Sequence, residues 1–470
     1  MLVHVVRQGE TLWLLASRYN VSVDNIMKVN ELPNPNQLLI GQAILIPTPG
    51  TTHTVQVGEN LWSIAQSYGV SVNSIIMANR IANPNLLLPG TTLYIPPITH
   101  TVQPGETLWR IANRYQTTAQ AIMNANNIQN PNIIVAGTQL LIPWKKPTIA
   151  VNAYTYQKDA AAAQTVNELG HLLTYLSPFA YIIKEDGTLQ PFTDELMLEA
   201  ARANNVTPML SITNLSLTDV GTNLAHEVLS NPEVVERLIT NILNVMDEKG
   251  YKGLNVDFEY VLPEDRENYN QFLQLVVDRL HPKGYFVSTA VAPKTSGAQE
   301  GLLYTAHDYE AHGRIVDFVM LMTYEWGWRG GPPQAISPIN EMQKVVEYAL
   351  SVMPADKIFL GFQIYARDWK IPRQVGDEAE TFSAQEAIRR ATQYNVPIQY
   401  DIATQSPFFR YVDEQGQAHE VWFEDARSAQ AKFNLVKQYN LGGINYWVLG
   451  YPFPQNWALL EDNFEIQKRV

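Results

Sequence analysis

Along the first third of the chain, apolar and polar positions run through one short pattern three times. In the first copy Val3-His4-Val5-Val6 reads as a brief strand, a Gly turn follows, and Leu12, Leu15, Ala16 and Tyr19 then fall on one stripe at helical spacing. A second helix is predicted over about 23–30, and the turn Asn34-Pro35-Asn36 blocks its continuation. The block from His4 to Trp13 returns as His53 to Trp62 and as His100 to Trp109. The turn returns as Asn83-Pro84-Asn85 and Asn130-Pro131-Asn132, and the copies close on Ile46-Pro47, Ile95-Pro96 and Ile142-Pro143. Strand, helix, helix, strand therefore predicts three small βααβ units at 1–48, 52–97 and 99–144. Pro47-Thr48-Pro49-Gly50 and Pro96-Pro97 are short linkers of restricted flexibility.

From about Thr148 the texture changes to apolar strands alternating with long amphipathic helices, which predicts βαβ units around a parallel sheet. Eight strands are expected: Ile149–Tyr154, Leu173–Tyr181, Val206–Ile212, Gly253–Glu259, Phe286–Ala292, Phe318–Tyr324, Ile358–Ile364 and Gly443–Val448. The fold class is α/β, a (β/α)₈ barrel over 148–470. Between strands seven and eight the spacing stretches. Residues from about 371 to 425, with Phe408-Phe409-Arg410-Tyr411 and Val421-Trp422-Phe423, predict a small α+β insertion walling one side of a cleft.

Composition narrows the classes further. With 46% apolar and 17% charged residues among 470, disorder is excluded, and 10 Trp and 23 Tyr suit a sugar binder. There is no cysteine, so packing alone must hold the fold. Net charge is −13, and residues 1–146 carry 8 Lys+Arg against 5 Asp+Glu, so the acidity lies in the barrel and argues against nucleic acid. No run reaches the roughly 18 apolar residues of a membrane span. The N-terminus lacks a charged segment followed by an apolar one, so a secretory signal peptide is not expected.

The sharpest chemical signal is Tyr251-Lys252-Gly253-Leu254-Asn255-Val256-Asp257-Phe258-Glu259-Tyr260. Alternation along a strand puts Asn255, Asp257 and Glu259 on one face and Leu254, Val256 and Phe258 on the other. In a barrel the polar set points inward, where carboxylates are costly unless paired or used, and Glu259 falls at the carboxyl end where barrel active sites form. A solvated edge strand would read similarly, but both flanks are long helices and parallel strands are seldom exposed.

These residues carry two family resemblances. The triplicated G-E-T-L-W run, the N-P-N turn and the closing I-P strand resemble the lysin motif, with Asn60 as the main departure from Thr. That resemblance implies a groove for N-acetylglucosamine polymers formed by Gly9, Glu10, Thr11, Asn36, Leu38 and Leu39, by Gly58, Glu59, Asn60, Asn85, Leu87 and Leu88, and by Gly105, Glu106, Thr107, Asn132, Ile134 and Val135. The fourth-strand segment resembles the D-x-x-D-x-D-x-E motif of glycoside hydrolase family 18. Met320-Leu321-Met322-Thr323-Tyr324-Glu325 and Gly442-Gly443-Ile444-Asn445-Tyr446-Trp447 are similar to its sixth- and eighth-strand segments. Lys252 and Asn255 stand where the family has Asp, and Glu325 replaces another. The ending N-[IV]-D-F-E behind lysin motifs, with His419 to Ser428, is most similar to spore cortex-lytic and germination hydrolases of endospore formers.

The family 18 resemblance implies a retaining, substrate-assisted hydrolysis of β-1,4 bonds next to N-acetylglucosamine. Glu259 would be acid and base, Asp257 the residue orienting the acetamide, Tyr324 its hydroxyl partner, and Trp447 the floor of the sugar site beside Met322. No metal or cofactor is implied. Asn255 would hydrogen-bond a carboxylate, and Gln363, Tyr365, Trp326 and Trp328 are cleft candidates from strand-end position. The expected partner is peptidoglycan or chitin-type polymer, without nucleic acid or membrane, bound by a monomer at the spore coat or cortex surface; an extracellular or cell-wall location is the alternative. Two rival readings stand, a chitinase and a non-catalytic carbohydrate-binding coat protein.

Overall fold

The computed structural model describes residues 1–79, 81, 83–115, 117–216 and 220–469. The chain divides into two compact units whose main break lies between Pro147 and Thr148. In the N-terminal unit each repeat is a two-stranded antiparallel sheet with two helices, the first pairing Leu2–Val5 with Ala43–Ile46. Its helices are Leu12–Tyr19 and Val23–Asn30. The other repeats pair Thr51–Thr54 with Thr92–Ile95 and Ile98–Thr101 with Gln139–Ile142.

Local chemistry explains why these short helices start where they do. Thr11, Asn60 and Thr107 each occupy the N-cap and accept a backbone N–H from the residue three positions on. Asn60 therefore does in the second repeat what Thr does in the others. Each repeat also has its own core, such as Leu12, Leu15, Ile26, Ile44 and Ile46. The second helix is tied to the closing strand by one side chain: Asn30 Nδ2 donates to the Ile26 and Leu45 carbonyls while its Oδ1 accepts from Leu45 N–H. Asn79 and Asn126 repeat this bridge. A buried strand edge thus keeps its hydrogen bonds despite having one partner strand.

In the C-terminal unit eight parallel strands close into a barrel: Thr148–Thr155, Tyr175–Pro178, Thr207–Thr213, Gly253–Asp257, Phe286–Val291, Phe318–Leu321, Ile358–Gln363 and Gly443–Trp447. The interior is layered. At the amino ends Tyr175, Phe318 and Phe359 stack with ring centroids 5.4 and 4.4 Å apart and plug the floor. Above them comes a polar belt in which Asn152 Nδ2 donates to Asn445, Ser177 donates to Asn152, and Asn255 Nδ2 donates to the Tyr154 hydroxyl. These bonds satisfy most of the belt's buried polar groups, with the Asn445 Nδ2 left without a partner among the described residues. The third layer, at the carboxyl ends, holds the carboxylates.

Several sequence-based bounds are corrected. The second strand is Tyr175–Pro178, shorter than expected, and the fourth and sixth strands end at Asp257 and Leu321, short of Glu259 and Tyr324. Past the fourth strand the side chains of Asn214 and His307 take over the backbone hydrogen bonds of Phe258 and Glu259, whereas past the sixth the Thr323 and Tyr324 amides turn back onto the Leu321 and Met322 carbonyls. The antiparallel insertion opens at Tyr365, earlier than the expected start near residue 371. Its five strands run in the order Glu380–Ser383, Tyr365–Ile371, Ala418–Trp422, Ser406–Val412, Gln399–Asp401, and it carries the helix Ala384–Gln393. Among the described residues no helix is long and apolar enough to cross a membrane.

Candidate active site

At the carboxyl ends of the barrel strands lies a cavity of about 520 Å³. Its wall includes Asp257, Glu259, Tyr324, Glu325 and Trp447. Asp257 is the last residue of the fourth strand and points inward by strand alternation; Glu259, two residues on, faces the same space. The two carboxylates thus share one wall although the second has left the strand. Asp257 is buried, and its Oδ1 has no hydrogen-bond partner among the described residues.

Electrostatics follows from that placement. Burial raises the pKa of Asp257. Glu259 is raised as well, first by burial, then by the charge of Asp257 and of Glu325. Two neighbouring acids in a low-dielectric wall cannot both ionise cheaply, so the pair retains a proton into the range where ordinary carboxyls have lost theirs. Burial, with the same three carboxylates, holds the Tyr324 phenol well above its usual value, so its hydroxyl stays a donor. Glu325 is held on its outer side by Arg367, whose guanidinium donates to both carboxylate oxygens at 2.8 Å, and by the Tyr365 hydroxyl.

The remaining candidates separate. Met322, Trp326, Trp328 and Trp447 line the cavity, with Trp447 set edge-on against Phe179 at 4.9 Å and Tyr154 at 5.4 Å. Asn255, Gln363 and Tyr365 do not line it. Asn255 is fully buried one layer down, with its amide engaged by Tyr154 and Ser288 rather than by Asp257. Gln363 lies in a buried network with Ser337 and Glu424, and Tyr365 belongs to the insertion and meets Glu325. Phe179, Leu215, Tyr260, Leu303, Tyr304 and Glu325 line the cavity without having been singled out. Glu325 and Tyr260 close the sixth- and fourth-strand segments and Phe179 and Leu215 follow strand ends closely, which was the available signal; Leu303 and Tyr304 sit in a loop that carries no motif.

In the repeats, Gly9, Gly58 and Gly105 adopt positive φ, so the turn before each helix is one that glycine permits. Glu10, Glu59 and Glu106 are engaged within their own repeats. Each accepts from the histidine ring six residues earlier and from the backbone N–H three residues earlier. The same histidine contacts a tyrosine hydroxyl, as in His4–Tyr19 at 3.0 Å. Despite burial, these bonds and Arg18 hold the Glu10 pKa down to about 2, and the Gln103 amide and His100 do the same for Glu106. Thr11, Asn60 and Thr107 cap helices. Asn36, Asn85 and Asn132 each donate a backbone N–H to the side chain of the turn's first Asn. Leu39 donates its N–H to Gln42, Leu38, Leu87 and Ile134 pack partly into their repeat cores, and Leu88 and Val135 are exposed.

Comparison with known proteins agrees with this geometry. The family model described as glycosyl hydrolases family 18 matches residues 138–451, and the LysM domain model matches 4–47, 53–96 and 100–143. A cortical fragment-lytic enzyme of Bacillus subtilis is 46% identical, covering 100% of this chain and 100% of its own. The solved spore cortex-lytic enzymes SleL of Bacillus megaterium and Bacillus cereus both superpose with a TM-score of 0.80. They are 36% and 39% identical, covering 100% and 99% of this chain and 99% of each of theirs. With a closed parallel barrel, acids at its carboxyl-end cavity and three repeats ahead of it, the chain belongs to glycosyl hydrolases family 18 and carries three LysM domains.

Proposed function

We propose that this glycosyl hydrolase cleaves β-1,4 bonds next to N-acetylglucosamine in peptidoglycan, with fragments of the spore cortex as substrate. The observation that carries the reading is the pairing of Asp257 and Glu259 on one cavity wall, both with raised pKa, beside an Asp257 oxygen left free to accept. Relatives similar along the whole chain and described as cortical fragment-lytic favour cortex over chitin. The same relatives support action at the spore.

Protonated Glu259 gives its proton to the glycosidic oxygen as the bond to the anomeric carbon breaks. The substrate's own acetamido oxygen closes on that carbon, one of the recognised departures from two-carboxylate catalysis. Asp257 accepts from the acetamide N–H and balances the positive ring that forms; Tyr324 donates to the acetamide oxygen. Trp447, braced edge-to-face by Phe179, supplies an aromatic floor for the sugar. Water then adds to the anomeric carbon from the face opposite the acetamido oxygen, whose bond to that carbon breaks, and gives a proton to Glu259. Because the nucleophile is part of the substrate, positioning rather than a second carboxylate lowers the barrier. The LysM domains anchor the polymer, through groove backbone and exposed apolar side chains rather than through Glu10, Glu59 or Glu106, whose carboxylates are occupied.

Glu259→Gln is expected to lower hydrolysis of cortex fragments by about 10²- to 10⁴-fold while polymer retention is unchanged. Normal turnover in that variant removes the assignment. Parallel digestion of chitin decides substrate class, and faster cleavage of chitin than of cortex fragments would overturn the cortex reading.

A further inference from the structure

Glu259, the acid of the proposed hydrolysis, lies beyond the end of its strand. Ladder pairing between the third and fourth barrel strands ends at Thr213 opposite Asp257, so the peptide groups of Phe258 and Glu259 have passed the last backbone partner on that side. Such groups are usually satisfied by water or by a mobile loop, and a carboxyl carried on a loose segment would lose its aim.

Two buried side chains from outside the motif occupy those positions. Asn214, the residue after the third strand and fully buried, meets Glu259 with both ends of its amide. Its Oδ1 accepts the Glu259 N–H at 2.9 Å, and its Nδ2 donates to the Glu259 carbonyl at 2.8 Å. The amide thus acts as one more peptide unit of the ladder. Its other hydrogen is directed at the Gly221 carbonyl at 3.1 Å, which fixes which way the amide points.

His307, 1% exposed, sits ahead of the helix Tyr309–Ile315. Its Nδ1 accepts the Ala292 N–H at 2.8 Å, and its Nε2 lies 2.8 Å from the Phe258 carbonyl. A backbone N–H on one nitrogen and a carbonyl on the other leave a single consistent tautomer, neutral with the proton on Nε2. Burial pushes the ring's pKa down to about 4, in keeping with that form. Ala292 also lines the cavity, so this ring joins two of its walls. Lys294 Nζ in turn holds the His307 carbonyl at 3.1 Å.

We propose that Asn214 and His307 are positioning residues for hydrolysis, holding the Phe258–Glu259 backbone so that the acid meets the glycosidic oxygen. This role rests on Glu259 being that acid. Neither side chain lines the cavity, so neither is a substrate contact. Losing a tie displaces the acid by a fraction of an ångström to an ångström, a misplacement able to cost up to about 100-fold in rate.

The test is steady-state hydrolysis of a soluble N-acetylglucosamine tetramer by the full chain. Asn214→Ala and His307→Ala, each melting as a folded protein, are expected to lose about 10- to 100-fold in kcat with KM within about twofold. His307→Gln, whose amide presents an acceptor and a donor at similar spacing, is expected to recover at least about a third of the lost rate. Should an alanine variant not fold, the near-isosteric Asn214→Asp serves. It keeps the acceptor, loses the donor to the Glu259 carbonyl, and is expected to show the same kcat loss. His312→Leu is the control, since that buried neighbour makes no bond to the Phe258–Glu259 segment; it is expected to keep kcat. A folded Asn214→Ala or His307→Ala with kcat within twofold of the parent overturns the proposal. So does loss confined to KM, or a His312→Leu loss matching that of His307→Ala. Glu259→Gln in the same assay separates the two readings. If it is active the acid is misassigned, whereas if it is inactive beside a fully active Asn214→Ala, the tie alone is wrong.

Discussion

At the scale of single residues, the cavity acids are maintained against the preference of the fold. Burial and like charge raise the pKa of Glu259 above its ordinary 4.5, so the folded chain binds a proton that the unfolded chain releases. Below the unfolded pKa the group therefore costs nothing, and as pH rises toward the folded pKa it becomes progressively destabilising. Glu259→Gln is expected to melt higher than the parent at neutral pH, by roughly 1–3 °C, with the gap closing as pH falls toward 4. Thermal melts across that range check it; an equal gap at every pH would contradict the linkage. Removing the neighbouring charge has the opposite reach. In Asp257→Asn the residual activity is expected to lose its alkaline limb at lower pH than the parent, because the Asp257 charge helps to hold the Glu259 proton on. A pH–rate profile reads the shift directly.

At the scale of elements, the same short helix is built three times with slightly different parts. Thr11 and Thr107 cap with a hydroxyl, and Asn60 with an amide oxygen inside a reciprocal pair with Ser63. Thr107→Ala is expected to destabilise the third repeat by about 1 kcal/mol, whereas Asn60→Thr should change the second by only a few tenths. Chemical denaturation followed by the fluorescence of Trp62 and Trp109 would show both. Capping and turn geometry give the Gly-Glu-Thr and Asn-Pro-Asn runs a structural role of their own, alongside any contact they make with a sugar. On the barrel, the insertion brings Arg367 and Tyr365 against Glu325, so an element outside the eightfold pattern helps set the charge of the cavity.

At the scale of the molecule, three repeats and one barrel suit an enzyme that must stay on a large polymer while cutting it. Tethered weak sites raise local concentration, so a chain lacking residues 1–144 is expected to keep soluble-tetramer turnover within about threefold and to lose about 10²-fold or more in retention on insoluble polymer. Pull-down on polymer beside tetramer kinetics separates the two effects. Of this architecture, the sequence by itself determined the repeats, the eight strands and the pair Asp257 and Glu259, because periodicity, turn residues and strand alternation are local rules that survive without coordinates. The tertiary structure alone decided which strand-end residues face the cavity. Asn255, Gln363 and Tyr365 turned into buried networks while Phe179, Leu215 and Tyr304 reached the site from unmarked loops. It alone also paired Asn214 and His307 with the backbone of the acid, across 45 and 49 residues of sequence. Contacts of that kind depend on where the chain closes on itself, and no window along the sequence contains both partners.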